Sequence, residues 1–579
     1  MDRIEQLETA LTIVSATSDL IRVEDARRLT GPGLLWNRPG AVMDVFFDRL
    51  EPERMTSLWM HHARRVLDAL GWREEAAITR VFTGGANLAL SAPMDQLYSA
   101  IFVAQTAWHF CAAELLGEQP DDFDRMIFDL RGVMETEANP VLIALIRAAE
   151  EHGIDILCDD DAVSIGHGTG SRTWPVDALP APDQVDWAAL HDIPMAFITG
   201  TNGKTTTTRL LEAIARASGK TAGLTSTEFV RVGDEILDRG DYSGPGGARM
   251  LLRDPRLEIA CLEVARGGIL RRGLPTRAAH AAVVTNVAND HLGQYGVNTV
   301  PELAQAKFAV HRALAPGRIL ALNADDAFVR AEAARTQANI CWFSLDPERA
   351  EIHAAKVAGQ PCAYLRGETL VFFDGTAEQD ILPVADVPIT MNGAARYNVL
   401  NALAALCLAL AMDIPVAAIR QGLRNFRPDP TDNPGRCNEF AHNGARVFVD
   451  FAHNPHSIAA VCEALANLPA KRRFIMLSHA GDRSDQDIRD VTTAALGFQP
   501  DVVVAAELPD YLRGRQLGEI PALIEQAATG TGLAKTQIQR ADSPTEAARM
   551  ILDQVGPGDL ALLLVLSERD RVFALLEDR

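Results

Sequence analysis

The sequence predicts an α/β protein in three parts: a central parallel-sheet domain built around a P-loop, a smaller C-terminal Rossmann-like α/β domain, and an N-terminal, mainly helical domain. Three observations predict it. From about Ile193, short apolar runs alternate with helical patterns, as in a parallel sheet with crossover helices. The first of these runs, PMAFITG, feeds directly into Gly200-Thr201-Asn202-Gly203-Lys204-Thr205-Thr206 and a helical pattern. A second series of apolar runs and helices begins near Pro428.

Taken in order, residues 1 to about 150 read mostly helical, with few strand signals and no repeats. The apolar stretch from Ala100 to Leu116 contains Gln105, Thr106 and His109, so it is expected as a buried helix rather than a membrane span. PVLIALIRAAEEHG and IDILCDD form a short αβ unit. GHGTGSRTWPVDALPAPDQ, rich in Gly and Pro, reads as a linker and closes an N-terminal domain at 1–185. In the central domain, 186–428, the helix KTTTTRLLEAIARASG ends at Gly219, and LEIACLEVA, HAAVVTNV and RILALNAD are further buried strands. In the C-terminal domain, 429–579, the strands are ARVFVDFA, RRFIMLS, DVVVAAE and DLALLLVL, separated by helices such as SIAAVCEALANL and TEAARMILDQV. Ligands in such sheets sit beyond the carboxyl ends of the strands, so the site is expected between the second and third parts.

A chain of 579 residues needs more than one core, and its 47% hydrophobic and 23% charged residues mark an ordinary globular class. A net charge of −22 argues against nucleic acid or an anionic membrane as partner, because phosphate backbones demand clustered Lys and Arg. It does not argue against a nucleotide, which needs only local donors. The eight cysteines form no C-x-x-C pair, so neither a zinc site nor a disulfide scaffold is expected, and reduced core thiols in a cytoplasm are. The first residues lack the features of a signal peptide.

The segment Gly200–Thr206 carries the clearest chemistry. Between a strand and a helix, its glycines let Thr201, Asn202, Gly203 and their neighbours turn N–H groups toward phosphate oxygens, where the helix dipole adds positive potential. Lys204 is placed to reach the β- and γ-phosphates, and the Thr205 hydroxyl to bind Mg2+ with Thr206 beside it. The longer Walker pattern is not met, because Ile198 stands where its first glycine belongs.

GTNGKTT is the form found in the Mur ligase superfamily, which includes folylpolyglutamate synthetase and cyanophycin synthetase. Further matching motifs follow in order: LEVARGGILRRG with Glu263, TNVANDHLG with Asn286, Asp290 and His291, and AKFAVHRAL with Lys307. After them come NADD (323–326), YNVLNALAA with Asn398 and Asn401, Pro434-Gly435-Arg436, and DFAHNP with Asp450. GDYSGPGGARMLLRDP, LEVARGGILRRGL and GDRSDQDI resemble the Mur-ligase-like part of cyanophycin synthetases in particular. The resemblance covers roughly residues 190 to 579. RRLTGPGLLW and HGIDILCDDDAVSIGHGTGSR resemble the opening and the start of the ATP-grasp domain of those enzymes, and the P-loop follows only about thirty residues later. The chain therefore looks like a relative from which one of two ligase centres is missing.

The resemblance implies site residues. Lys204, Glu263, His291 and Lys307 would be catalytic, and Thr205, Glu263, His291 and Lys307 would hold metal. Lys307 corresponds to a lysine that many such ligases carbamylate, and here it is either that or a solvated helix lysine. Thr201 to Thr206, Asn398, Arg436 and Asp450 would bind ATP, with Asn398 on adenine and Asp450 on ribose. Asn398 at a helix terminus and Asp450 capping a nearby N–H are the structural alternatives. Arg266 and Arg271, with Arg272, would form a cationic cluster for an acidic acceptor, and His453 and Asn454 would line the incoming-amine side.

The implied reaction joins a carboxylate, possibly aspartyl, to an amino acid such as arginine. ATP and Mg2+ are the cofactors, the reaction passes through an acyl phosphate, and ADP and phosphate are released. A ligase for a cell-wall precursor or folate is one alternative, and a catalytically idle nucleotide-binding scaffold or partner subunit is another. Small amino acids or peptides are the expected partners, and a homodimer or tetramer the expected assembly.

Overall fold

The structure is a computed structural model that describes residues 3–577. The chain divides into two compact units. The first runs to Val287 and takes in His291–Trp342 and Leu406–Pro415. The second comprises Ala288–Asp290, Phe343–Ala405 and the chain from Val416 on.

The first unit opens with a four-stranded antiparallel sheet, in the order Ile21–Leu29, Gly40–Phe47, Gly85–Ser91, Ala77–Phe82. Side-chain alternation gives it two buried faces. Ala41, Met43, Val45, Leu88 and Leu90 point into a core with Trp59 and Trp108 from the helices Pro52–Leu70 and Leu97–Leu116. The residues between them, Val42, Asp44, Asn87 and Ala89, are just as buried on the opposite face. The apolar stretch Ala100–Leu116 is thus a buried helix, as the sequence indicates. Among the described residues no helix is long and apolar enough to cross a membrane.

Helix does outweigh strand in this N-terminal part, but the expectation of few strands is corrected by the sheet. Its first strand, IRVEDARRL, reads as polar because its charges are paired. The Arg27 guanidinium donates to both Asp44 carboxylate oxygens, at 2.6 and 3.2 Å, with both residues buried. A buried ion pair with satisfied hydrogen bonds replaces the apolar residues that would have marked the strand.

The supposed linker is also ordered. Ile156–Cys158, Ala162–Ile165 and Arg172–Pro175 form a three-stranded antiparallel sheet. His167, between the second and third of these strands, is completely buried, with Nδ1 2.9 Å from Asp192 and Nε2 3.3 Å from Asp155. Asp155 in turn accepts from the Thr276 hydroxyl. Burial alone would lower the His167 pKa, but the two carboxylates outweigh it and raise the pKa from 6.5 to about 9. The protonated ring therefore stabilises the fold fully below about pH 6.5, and that contribution is lost as pH rises through about 9. Thermal melts of His167→Gln should show a lower Tm at pH 6 and a smaller loss between pH 6.5 and 9 than the parent.

The rest of the first unit is built on a mostly parallel sheet. Its strands run in the order Glu235–Arg239, Phe229–Val232, Ala222–Thr225, Ile259–Glu263, Met195–Thr199, Ala279–Val284, Leu314–Asn323. The first three are joined antiparallel, and from Ala222–Thr225 onward the pairs are parallel. Continuous burial of Met195–Thr199 and Ile259–Glu263 explains the apolar runs Met195–Ile198 and Ile259–Leu262 within them. Their parallel register sets Glu263 opposite Ile198, so the last residue of one strand lies beside the start of the P-loop.

The second unit contains an antiparallel meander, Cys362–Arg366, Thr369–Phe373 and Glu378–Pro383. It also contains a six-stranded sheet in the order Asn438–His442, Ala445–Asp450, Leu560–Leu564, Arg473–Leu477, Val502–Ala506, Ile538–Ala541. All but its first pair are parallel. Phe448, Ile475 and Leu562 fill one face, while Val447, Val449, Met476 and Leu563 fill the other. This is the doubly wound domain the alternating pattern indicates. All eight cysteines are free thiols, and seven are buried.

Candidate active site

The P-loop is shaped by what packs beneath it. A Cβ on Gly200 would stand 1.9 Å from the Thr285 hydroxyl, so only glycine lets the chain leave Met195–Thr199 at that point. Asn286 then grips the loop three times. Its carbonyl accepts from Thr201 N at 2.9 Å, its Oδ1 accepts from Asn202 N at 2.9 Å, and its Nδ2 donates to Asn202 O at 3.0 Å. The Thr285 hydroxyl adds a bond to Asn202 O at 2.7 Å, and Asn323 Nδ2 holds Thr285 O at 2.8 Å. The N–H groups of Thr201 and Asn202 are thus committed to Asn286. That leaves the N–H groups of Gly203 and the first turn of the helix Lys204–Ala217 as the candidates for phosphate, where the helix dipole is positive.

Two lysines close around the loop. Lys204 Nζ donates to Thr201 O at 2.9 Å, and Lys307 Nζ, on the helix Val300–Phe308, donates to Gly200 O at 2.8 Å from a buried position. Lys307 is therefore a brace for the P-loop rather than a solvated helix lysine.

Thr205 Oγ1 and Glu263 Oε1 lie 3.1 Å apart, both nearly excluded from solvent. Neighbouring oxygens around an octahedral Mg2+, each about 2.1 Å from the ion, are separated by about 3 Å. The pair consequently fits Mg2+ in donor type and in spacing. Glu263 also lines a small pocket with Ser243, Gly244 and Gly268. His291 is exposed and sits in left-handed backbone, φ 50°, on the segment after Ala279–Val284.

The three arginines after Glu263 do not form one cluster. Arg266 is buried and donates to Gln294 Oε1 at 2.8 Å, whereas Arg271 and Arg272 are exposed. Arg272 donates to Arg28 O at 3.4 Å. A single cationic patch is thus replaced by one buried guanidinium and two surface ones.

In the second unit, Asp450 ends its strand with both oxygens in use, accepting from Cys437 N and Ala452 N at 2.7 Å each. Burial pushes its carboxyl up, against the pull of Arg436 and the two N–H donors. Each oxygen keeps acceptor capacity for a ligand hydroxyl. The Arg436 guanidinium lies over the Phe451 ring at 4.8 Å and donates to Gly435 O. Asn398 donates to Ile389 O at 2.8 Å and accepts from Asn401 at 3.0 Å. Asn454 accepts from Ser457 N at 2.9 Å as the N-cap of Pro455–Ala466, so its side chain serves the helix. His453 is partly exposed, its Nδ1 3.1 Å from Phe451 O.

Two contributions escaped the sequence reading. Asn286 was visible only as part of a motif, with no role attached. His479, at the end of Arg473–Leu477, is buried, and burial with the nearby Arg483 and His453 lowers its pKa to about 4, so the ring is neutral near pH 7. Its only sequence signal was its place in SHAGDR, just after an apolar strand. The Asn286 clamp has a measurable consequence: Asn286→Ala should raise KM for ATP by about tenfold and also lower Tm, as expected for lost buried hydrogen bonds.

Residues 198–409 match the Mur ligase middle domain, and residues 435–564 match the Mur ligase glutamate ligase domain. A cyanophycin synthetase from Trichormus variabilis is 39% identical over 337 residues, 58% of this chain and 37% of the relative. The chain thus spans well under half the length of the curated cyanophycin synthetases it matches. A UDP-N-acetylmuramoyl-L-alanyl-D-glutamate–2,6-diaminopimelate ligase from Listeria monocytogenes is 27% identical over 450 residues, 71% of this chain and 86% of the relative. Among solved structures, E. coli FolC in complex with DHPP and ADP has a TM-score of 0.49 at 20% identity, covering 66% of this chain and 87% of that one. The two matched domains together span more than half of the sequence and contain the P-loop, Glu263, Lys307 and Asp450, and on that ground the chain belongs to the Mur ligase family.

Proposed function

We propose that this chain is an ATP-dependent carboxylate–amine ligase. A carboxylate oxygen attacks the γ-phosphorus of ATP and ADP departs, leaving an acyl phosphate. The amine nitrogen then attacks the acyl carbon, loses a proton to solvent or to a nearby base, and phosphate leaves with its bridging oxygen. The observation that carries this reading is the Thr205–Glu263 oxygen pair set under a P-loop braced by Lys204 and Lys307.

Mg2+ held by Thr205 and Glu263, with His291 as a further candidate ligand, would neutralise charge on the phosphates. Lys204 leaves Thr201 O to meet the β- and γ-phosphates. Lys307 keeps Gly200 O fixed, so the loop does not reorganise as charge moves. On the second unit, Asp450 and Arg436 are the candidates for the nucleotide, and His453 for the amine side.

An aspartyl carboxylate and arginine are the first substrates to test, because cyanophycin synthetases are among the relatives at 35–39% identity. Cell-wall precursors come second, supported by the match over 86% of the Listeria ligase. The test is ADP release from purified protein, Mg2+ and ATP over a matrix of carboxylates and amino acids, with product mass determined for each hit. A product equal to the two substrates minus water supports the reading. If no pair in the matrix stimulates ADP release while ATP still binds, a nucleotide-binding scaffold replaces it.

A further inference from the structure

The segment His291–Asn298 lies in the connection between the Ala279–Val284 strand and the helix Val300–Phe308 that carries Lys307. Four of its residues lie in left-handed backbone: His291 at φ 50°, Gly293 at 92°, Tyr295 at 55° and Gly296 at 69°. Two of these are not glycine, and a side chain in that region is strained by about 1–2 kcal/mol. Such a conformation persists only when its surroundings enforce it. Inside the segment, Gly293 N donates to Val297 O and Val297 N to Gln294 O, which closes a tight turn.

The enforcement comes from the N-terminal sheet. Arg80 donates to Gly296 O at 2.9 Å, Asn87 donates to Tyr295 O at 3.4 Å, and Asn298 donates to Thr83 O at 3.3 Å. The Arg27 guanidinium lies 4.7 Å from the centre of the Tyr295 ring. A Cβ on Gly296 would stand 2.3 Å from the Phe82 ring, so that ring is seated directly on the loop. The gripping residues are themselves cross-linked: Asp44 accepts from Arg27 and from Asn87, and Asn87 Oδ1 accepts from Arg80 at 3.0 Å. Arg80 also lies 3.6 Å from Glu302, on the Lys307 helix.

The same network holds the segment after Glu263. Arg27 Nε donates to Leu270 O at 2.9 Å, Thr30 N to Arg272 O at 2.8 Å, and Leu274 N to Pro32 O at 2.6 Å. The buried polar face of the sheet, unexplained by the helical core on its other side, is thus matched to two loops leaving the parallel sheet beside the P-loop.

We propose that the N-terminal sheet is a positioning element for the ligase site, and that Arg80, with Arg27 and Asn87, holds the His291–Asn298 segment in its left-handed conformation. These are positioning residues: they act through the backbone of the loop and through the helix bearing Lys307. The kinetic part of this inference rests on the ligase reading, whereas the structural part does not.

Hydrogen–deuterium exchange on the full chain tests it. In Arg80→Ala, amides of 291–299 should exchange about tenfold faster, the scale of losing one hydrogen bond to a charged donor. Those of 200–217 should be unchanged, and Arg80→Lys should lie near the parent. Asn298→Ala, at the rim of the network, should show the same change more weakly and serves if Arg80→Ala does not fold. With an active substrate pair, Arg80→Ala should lower kcat about tenfold at unchanged KM for ATP, and Arg80→Lys should recover most of it. Unchanged exchange at 291–299 in every folded variant overturns the proposal, as does an equal kcat loss in Arg80→Ala and Arg80→Lys. Failure of the ligase reading is separate: the parent itself would then show no turnover while the exchange result stands.

Discussion

Lys204→Ala is expected to lower ATP-dependent turnover by about 10²–10³-fold, the scale of removing one preorganised charge-stabilising donor from a transition state. The folded protein should be spared. Lys204 makes a hydrogen bond to Thr201 O on the rim of the loop, while the loop's shape is held from below by Thr285, Asn286 and Lys307. ATP affinity and turnover measured on the same preparation, alongside a melt, separate the two effects. Turnover equal to the parent's would remove the P-loop from the mechanism.

Glu263→Gln is expected to have the second largest effect. The amide keeps an oxygen that can accept from Thr205 Oγ1, and the site is buried, so the fold should survive. What is lost is the negative charge that a hard cation requires. Turnover should fall by roughly 10²-fold at ordinary Mg2+, and the Mg2+ concentration for half-maximal rate should rise at least about tenfold. A titration of rate against Mg2+ at saturating ATP reads both. A purely structural role for Glu263 would leave the Mg2+ dependence where it was and change only Tm.

The central sheet was legible because both of its signals are local. Met195–Ile198 is apolar throughout because the strand is buried on both faces, and the turn that follows must contain glycine because Thr285 lies where a Cβ would go. The N-terminal sheet was not legible for the opposite reason. Arg27, Asp44, Asn87 and Arg80 look like surface residues in sequence, and only the fold brings them together as a buried polar face. His167 and its two carboxylates hid in the same way inside a stretch whose glycines and prolines suggested a linker.

Residue roles were less legible than strands. Asn398 and Asn454 have side chains of the right type for ligand contact, yet each has a partner within its own unit: Ile389 and Asn401 for the first, the Ser457 N–H for the second. Arg266, Arg271 and Arg272 are close in sequence, but a single helical turn sends them to different environments. Spacing alone does not reveal which hydrogen-bond partners a polar group has within the fold. That depends on partners distant in the chain.

In the proposed reaction the γ-phosphoryl group of ATP passes to a carboxylate held near the P-loop. This transfer is tested most directly with the carboxylate substrate found in the ADP-release screen, labelled with ¹⁸O at both carboxyl oxygens, by mass analysis of the released phosphate. The proposed chemistry predicts one ¹⁸O atom in each phosphate and one retained in the amide. Phosphate free of label, with amide formed, would contradict it.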